Sequence, residues 1–408
     1  MKKNYLMMSL FALGLATTAP VGLTSCSSDD PITVEKENPF DYGEDVASAD
    51  DNRSAGEAFK CVEQILDGCI DIANEVGESK IGEPLNLYNS GQQEKALYAV
   101  ESWYSYHSRE DYRNNIYSIR NAYYGSLDGS VADNSLSALI ASKRPQMDQK
   151  VKEAIDKAAN AIWAIPDPFR NNINCAEALE AQKRCSNLKQ VITDLKGYIE
   201  GKGSINQDAN LDPIISDYVQ NVVLPTYKAL RDGNAALYDA VSAFQANPSD
   251  AAFKDVAQAW LEARQPWETS EAFLFGPVDS EGLDPNMDSW PLDQDQIATI
   301  LNSGNFDNLD WSDGDDDETI EAKQGVRGFH TLEFLTFRNG KARTLNDVAE
   351  SGSSADLVYN STNARSWGNY MKQVAYLLKQ DASNLYNYWT VSYNGGESFA
   401  KQFLSHNF

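Results

Sequence analysis

The chain of 408 residues carries 60 Asp and Glu against 34 Lys and Arg, a formal net charge of −26. A surface that acidic repels nucleic acid and anionic lipid and attracts cations and basic partners, so nucleic acid is excluded as a partner. Hydrophobic residues make up 42% of the chain, and its length suits two domains with cores of their own.

Lys2 and Lys3 precede an apolar run from Leu6 to Leu15, too short and too early for a membrane-spanning helix. Leu23-Thr24-Ser25-Cys26 follows, with the apolar, small, small, cysteine order that lipoprotein signal peptidase accepts. Residues 1–25 therefore read as an export leader, and Cys26 as the acylated first residue of the mature protein. Residues 26–51 are acidic and rich in Ser, Pro and Gly, which predicts a tether rather than a packed element. The expected location is the cell envelope, with the chain held on the outer membrane by lipid on Cys26, on the periplasmic or the surface face.

Residues 52–203 show four long helical patterns. Phe59, Val62, Leu66, Cys69, Ala73 and Val76 recur at spacings of three and four, predicting a helix from about Gly56 to Val76. Ser108-Arg109-Glu110-Asp111 reads as a capping box opening a second helix through Tyr123. Pro145 opens a third, with Met147, Val151, Ile155, Ala158 and Ile162 on one stripe, and Leu179 to Ile199 make a fourth. Cys61 pairs with Cys185, and Cys69 with Cys175, at nearly equal index sums, the relation two antiparallel helices require. Cross-helix disulfides and four small buried thiols are both open readings.

Gly201 to Asp212 reads as a linker, and residues 204–408 as a second bundle. Pro213 opens a long helix with a kink at Pro225, and Ser249 caps the next. The Asp313 to Glu318 run precedes the helix carrying His330, where its charge suits a helix N-terminus; its spacing does not match an EF-hand. Trp367 to Trp389 forms a long final helix. No segment alternates convincingly as a strand, so the predicted class is all-α.

The chemistry-bearing stretch is Gly328-Phe329-His330-Thr331-Leu332-Glu333. Three residues apart on a helix, His330 and Glu333 project from one face as a ligand pair or an acid/base pair, or as a hydrogen-bonded pair at a packing boundary. Gly328, lacking a side chain, lets another backbone or a ligand approach closely. The zinc-protease spellings His-Glu-x-x-His and His-x-x-Glu-His are absent, since Phe334 stands where the latter needs histidine. Of the other two histidines, His406 lies at the C-terminus, which leaves His107 as the candidate third nitrogen ligand.

This motif resembles the signature of the imelysin-like family. So do Val223 to Tyr227, Trp260 to Glu268, Ser270 to Pro277 and Trp290 to Asp293 before it, and Glu75-Val76-Gly77, Lys80-Ile81, Glu101 to Ser105, Ser108, Asp111 and Asn114 to Ile116 in the first half. The resemblance implies two four-helix-bundle-like domains, here in circularly permuted order, with a site at their interface that handles metal or iron. Carried over by motif, His330 and Glu333 would hold the metal, an iron or zinc ion, and Arg264, Glu271, Glu101, Ser105 and Asp111 would contact the ligand. The expected function is binding of a metal ion, or of a metal-containing or anionic small ligand, in iron uptake alongside an iron-transport partner protein. A His-x-x-Glu metallopeptidase and a structural lipoprotein without a metal site are the two alternatives.

Overall fold

The computed structural model describes residues 53–306, 309–312, 314–348 and 363–408. The leader, Cys26, the whole of the tether and Asp313 lie outside the described residues. Two antiparallel four-helix groups share one hydrophobic core that runs from Ala58 to Phe403. The first packs α1 (Phe59–Asn74), α4 (Ser108–Tyr124), α6 (Pro145–Ala164) and α7 (Ala176–Glu200) together. The second packs α9 (Leu224–Ala246), α10 (Asp250–Glu268), α15 (Gly328–Thr336) and α16 (Asn363–Thr390).

Shorter helices complete the chain: α2 (Glu83–Asn89), α3 (Gln93–Ala99), α5 (Leu136–Lys143), α8 (Asp208–Tyr218), α11 (Pro277–Ser280), α12 (Leu283–Asp288), α13 (Gln294–Ser303), α14 (Asp317–Gln324) and α17 (Phe399–Leu404). Strand pairing among the described residues is confined to Phe337–Arg338 against Lys341–Ala342, a two-residue antiparallel pair. The fold is all-α. Among these residues no helix is long and apolar enough to cross a membrane.

Several local expectations need correction. The first helix does not stop at Val76: its stripe Cys61, Val62, Ile65, Leu66, Cys69, Ile72 and Ala73 is buried, and the chain then continues as a π-helical segment, Glu75–Gly82, into α2. Gly77 is needed there because a Cβ would come within 3.0 Å of the Cys185 side chain. Ser108 is not a cap. His107 holds the N-cap position of α4, and Ser108 Oγ donates to Glu101 O at 2.6 Å, tying the helix to the loop before it. The linker is shorter than predicted, for α8 already begins at Asp208 and Pro213 lies inside it.

The helix runs on through Pro225 as expected: α8, a second π-helical segment, Val219–Val223, and α9 follow without a break, and the proline stands two residues after the widened turns. Ser249 caps α10 as predicted, accepting from Ala252 N at 3.1 Å. The acidic run does not open the His330 helix: Asp316 caps the separate helix α14. The four described cysteines are free thiols. Although α1 and α7 lie side by side, Cys61 Sγ donates to Phe403 O and Cys175 Sγ caps α7 by accepting from Ala178 N, both at 3.3 Å.

The short helix α15 is buried on every side, as expected of a helix that is apolar around most of its circumference. Trp260 Nε1 donates to Phe329 O and Trp367 Nε1 to Leu335 O, each at 2.9 Å, so large side chains from α10 and α16 fasten both its ends. Gly328 has φ +86°, and a Cβ there would meet Met287 O at 2.6 Å and Asn286 O at 3.0 Å. The close backbone approach read from the motif is thus that of α12. Gly328→Ala combines a left-handed backbone with a clash against main-chain atoms, so it is expected to destabilise the protein by about 2–4 kcal/mol. A thermal unfolding midpoint equal to that of the unsubstituted chain would contradict this packing.

Candidate functional site

The two helical groups meet where α4 crosses α10, and nearly all the candidate residues converge there. Arg264, on α10, is fully buried. Its Nη1 donates to Asp288 Oδ1, its Nη2 lies 2.5 Å from Glu268 Oε1, and its Nε lies 3.5 Å from Asp111 Oδ2 on α4. Burial disfavours its charge, yet Asp288, Glu268 and Asp111 together hold its pKa well above the ordinary value. Asp111 also accepts from Ser102 Oγ, and Glu268 Oε2 from Asn115 Nδ2 at 2.6 Å. One guanidinium therefore joins carboxylates from α4, α10 and α12.

His330 stands beside it with both ring nitrogens facing carboxylates. Nδ1 lies 3.0 Å from Glu333 Oε2 and Nε2 3.2 Å from Asp288 Oδ1, while Trp290 packs edge-on at 4.9 Å between centroids. Burial and the nearby Arg264 oppose a charged ring; the hydrogen bonds and attraction from Asp288 and Glu333 outweigh them and push the pKa up to about 9. Arg264 Nη2 also lies 3.4 Å from Nε2, so both ring nitrogens are engaged by side chains in this geometry. Against the same burial, Arg264 and His330 hold Asp288 well below the usual carboxylate range.

Glu333 is occupied in a different way. Its Oε1 accepts from Tyr104 N at 3.0 Å, Ser105 N at 2.8 Å and Ser105 Oγ at 2.7 Å. With Oε2 on His330, the carboxylate clamps the 101–107 loop of the first half onto α15 of the second. Gly340 N donating to Tyr104 O at 2.8 Å and Gln294 Nε2 donating to Tyr104 OH at 2.6 Å grip the same loop. Ser102 (φ 48°) and Tyr106 (φ 64°) bracket it in the left-handed region, a conformation that persists in such side chains only where surrounding contacts impose it. In this geometry His330 and Glu333 form a hydrogen-bonded fastening rather than the open ligand pair expected of them.

Glu271 and Glu101 belong to an adjoining part. Lys80, buried on the first π-helical segment, lies 2.8 Å from Glu101 Oε2 and 3.3 Å from Glu75 Oε1. Glu271 is buried in a short 3-10 turn after α10, and among the described residues its carboxyl makes no hydrogen bond or ion pair. Burial, only partly offset by Lys80 and reinforced by Glu268 and Glu75, raises its pKa well above the ordinary value. Glu268 is pushed up to about 8 by burial, against the pull of Arg264 and with the repulsion of Asp111 and Asp288. Asp284 is pushed up to about 7 by burial and by Asp288.

Glu268, Glu271 and Asp288 each offer a ligand atom, all within 4.8 Å of one another. Beside them, Asn115 Nδ2 donates to Glu268, which fixes the amide orientation, and the buried Asn115 Oδ1 has no partner among the described residues. His107 is not part of this set; its Nδ1 lies 3.9 Å from Glu110, and His406 lies 2.9 Å from Asp212. Of the residues not singled out from sequence, Glu268 carried a signal, being four residues after Arg264 on one helix face. Lys80 and Asn115 lay within family landmarks without a role, and Asp288 had none that spacing could supply.

Because folding raises the His330 pKa, the imidazolium contributes its full stability below about pH 6.5 and loses it as the pH rises through about 9. Glu268 acts in the same sense: the folded chain keeps a proton that the unfolded chain releases above about pH 4.5, so stability falls from there toward pH 8. The unfolding midpoint is therefore expected to fall between pH 6.5 and pH 9, and His330→Gln to lower it less at pH 9.5 than at pH 6.5. An equal decrement at both values would mean that the charge on the ring carries none of the effect.

The Imelysin family model matches residues 37–196 and 223–407. The crystal structure of an imelysin peptidase from Bacteroides ovatus is 58% identical in sequence, with a TM-score of 0.70 over 70% of this chain and 82% of that one. Iron-regulated protein A of Synechococcus elongatus is 35% identical over 124 residues, 30% of this chain and 31% of that protein, so the match spans about a third of that curated relative. With its two groups of four helices and a family match over most of its length, the chain belongs to the imelysin family.

Proposed function

We propose that this protein binds a metal ion, iron before zinc, in the carboxylate cluster between the two helical groups, and that it serves iron uptake in the cell envelope, held there by lipid on Cys26. The observation that carries the reading is Glu271: a buried residue whose carboxyl has no hydrogen-bond or ion-pair partner among the described residues, with a ligand atom within 4.8 Å of those of Glu268 and Asp288. Among the described residues carboxyl groups outnumber cations here: Glu75, Glu101, Asp111, Glu268, Glu271, Asp284, Asp288 and Glu333 surround Lys80, Arg264 and His330, with Arg170 acting on Glu333. A surplus of acid in a desolvated place is held as protonated carboxyl until a cation takes the protons' place. Oxygen donors of this kind suit hard cations.

In this reading Glu268, Glu271 and Asp288 are the donors that would hold the ion. Arg264 and His330 orient Asp288, and Glu333 with Ser105 closes the loop over them. The name borne by the Synechococcus elongatus relative supports iron over other hard cations. With a single imidazole at the cluster among the described residues, a His-x-x-Glu metallopeptidase lacks a second nitrogen ligand there.

Elemental analysis after anaerobic incubation with ferrous iron, and separately with zinc, tests the proposal. Near-stoichiometric uptake is expected, with proton release at pH 7 measured in weak buffer, and uptake is expected to fall at least about tenfold in Glu271→Gln. Absence of uptake by the unsubstituted protein would sink the metal reading; uptake undiminished in Glu271→Gln would move the site away from this cluster.

A further inference from the structure

Among the described residues Arg170 pairs with no carboxylate, although the chain carries a net charge of −26. It is held instead by two rings and three oxygens. Its guanidinium carbon lies 3.5 Å from the centre of the Trp103 ring and 4.4 Å from that of Tyr106. Nη1 donates to Trp103 O at 2.9 Å, and Nη2 donates to Tyr106 OH at 3.0 Å and to Asn339 Oδ1 at 3.3 Å. Trp103 and Tyr106 belong to the 101–107 loop, and Asn339 to the hairpin tip after α15, so one side chain joins three separate segments.

The turn that carries Arg170 is fixed. Phe169 before it is buried against Tyr112 of α4, with ring centres 6.1 Å apart, and Asn172 after it donates through Nδ2 to Pro166 O and Pro168 O at 3.2 Å and 2.9 Å. The loop it grips is strained, with Ser102 and Tyr106 at positive φ, and Asn339 (φ 51°) and Gly340 (φ 75°) at the hairpin tip share that conformation. A Cβ on Gly340 would come within 2.5 Å of the Tyr106 ring. Both ends of the buried chain of contacts land on this loop. Ser102 Oγ donates to Asp111, Asp111 lies 3.5 Å from Arg264, and Arg264 donates to Asp288. From Asp288 the contacts return through His330 and Glu333 to Ser105, three residues from Ser102.

We infer that Arg170 is a positioning residue for the carboxylate cluster, acting through the 101–107 loop on Glu333 and His330 and through them on Asp288. This rests on the metal-binding reading above and deepens it. Arg170 itself touches none of the proposed donors. What it supplies is shape: a planar fork can lie against two rings and still direct its hydrogen bonds edgewise, which an ammonium on a flexible stem cannot do. It holds Tyr104 N and Ser105 N where both donate to Glu333 Oε1 while the other carboxylate oxygen stays on His330 Nδ1. Without the fork, the loop relaxes from its positive-φ conformation and Glu333 follows it. Asp288 then loses the spacer that fixes its place beside Glu268 and Glu271.

The full chain has three histidines, so its imidazole nitrogen signals can be assigned by NMR at one fixed pH. In Arg170→Gln the Nδ1 signal of His330 is expected to move although residue 170 lies outside its contacts, and the Tyr104 and Ser105 amides to exchange with solvent about tenfold faster or more. Ferrous iron affinity, measured anaerobically by competition with a chromogenic chelator, is expected to fall at least about fivefold with the same stoichiometry. Arg170→Lys keeps the charge without the fork and is expected to behave as Arg170→Gln does. Full recovery in the lysine variant would overturn the inference, since charge alone would then suffice. An unmoved His330 signal in folded Arg170→Gln would overturn it too, and so would an iron affinity equal to that of an unsubstituted chain that binds iron. Tyr106→Phe keeps the ring and removes the hydroxyl that Nη2 reaches, so it covers the case in which Arg170→Gln does not fold. A shift of the same signal is expected there, and an unmoved signal overturns the inference. Movement of the His330 signal in a protein that takes up no iron would sink the metal reading and leave the positioning of Glu333 and His330 by Arg170 standing.

Discussion

The interior of this protein turns on a single guanidinium that water does not reach. Desolvating an arginine costs several kcal/mol, and the cost is recovered only where carboxylates surround the fork in good geometry. Arg264 has three, from three separate helices, and two of its nitrogens are directly engaged. The requirement runs both ways. Asp111, Glu268 and Asp288 are buried acids that need the arginine, so α4, α10 and α12 are placed by charge as much as by apolar contact. An aromatic floor of Phe329 and Trp260, at 5.3 Å and 6.0 Å from the guanidinium carbon, completes its surroundings.

His330 and Glu333 extend that frame. A doubly hydrogen-bonded imidazolium between Asp288 and Glu333 is a rigid spacer, and the three donors on Glu333 Oε1 carry the rigidity into a loop with two residues at positive φ. The chemistry of an open histidine would need that ring deprotonated and turned away from its carboxylates. The carboxyl with capacity to spare is Glu271, which is buried and makes no hydrogen bond or ion pair among the described residues. Function is therefore better sought one layer from the histidine that draws the eye in the sequence, among acids that the histidine and arginine hold in position.

Much of this was legible beforehand, because helices leave a periodic trace. The apolar stripes of α1, α6, α7 and α16 gave the elements and the class directly. Boundaries suffered where the period itself changes: the π-helical segments at Glu75–Gly82 and Val219–Val223, each ending two residues before a proline, widen the turn and break the 3.6-residue stripe. Glu271, Glu101, Ser105, Asp111 and Arg264 were found by motif, and the structure brings them to one interface. Asp288 was not, since it sits at the end of a six-residue helix whose role comes only from long-range contact with Arg264 and His330. Asn115 lay within a family landmark but without a role, because an unpaired amide oxygen is a property of its neighbours. Index sums placed Cys61 and Cys185 on adjacent helices, but pairing also demands that side chains converge, and Cys61 turns to the main chain of Phe403.

Those thiols bear on how the folded chain responds to oxidants. Cys61 and Cys185 are each pushed up to about 12 by burial, and Cys69 is raised still further, so none offers an appreciable thiolate at physiological pH. Thiolate is the species that attacks disulfides and reacts with oxidants. In the folded chain these three buried thiols are therefore poor nucleophiles toward disulfides and oxidants.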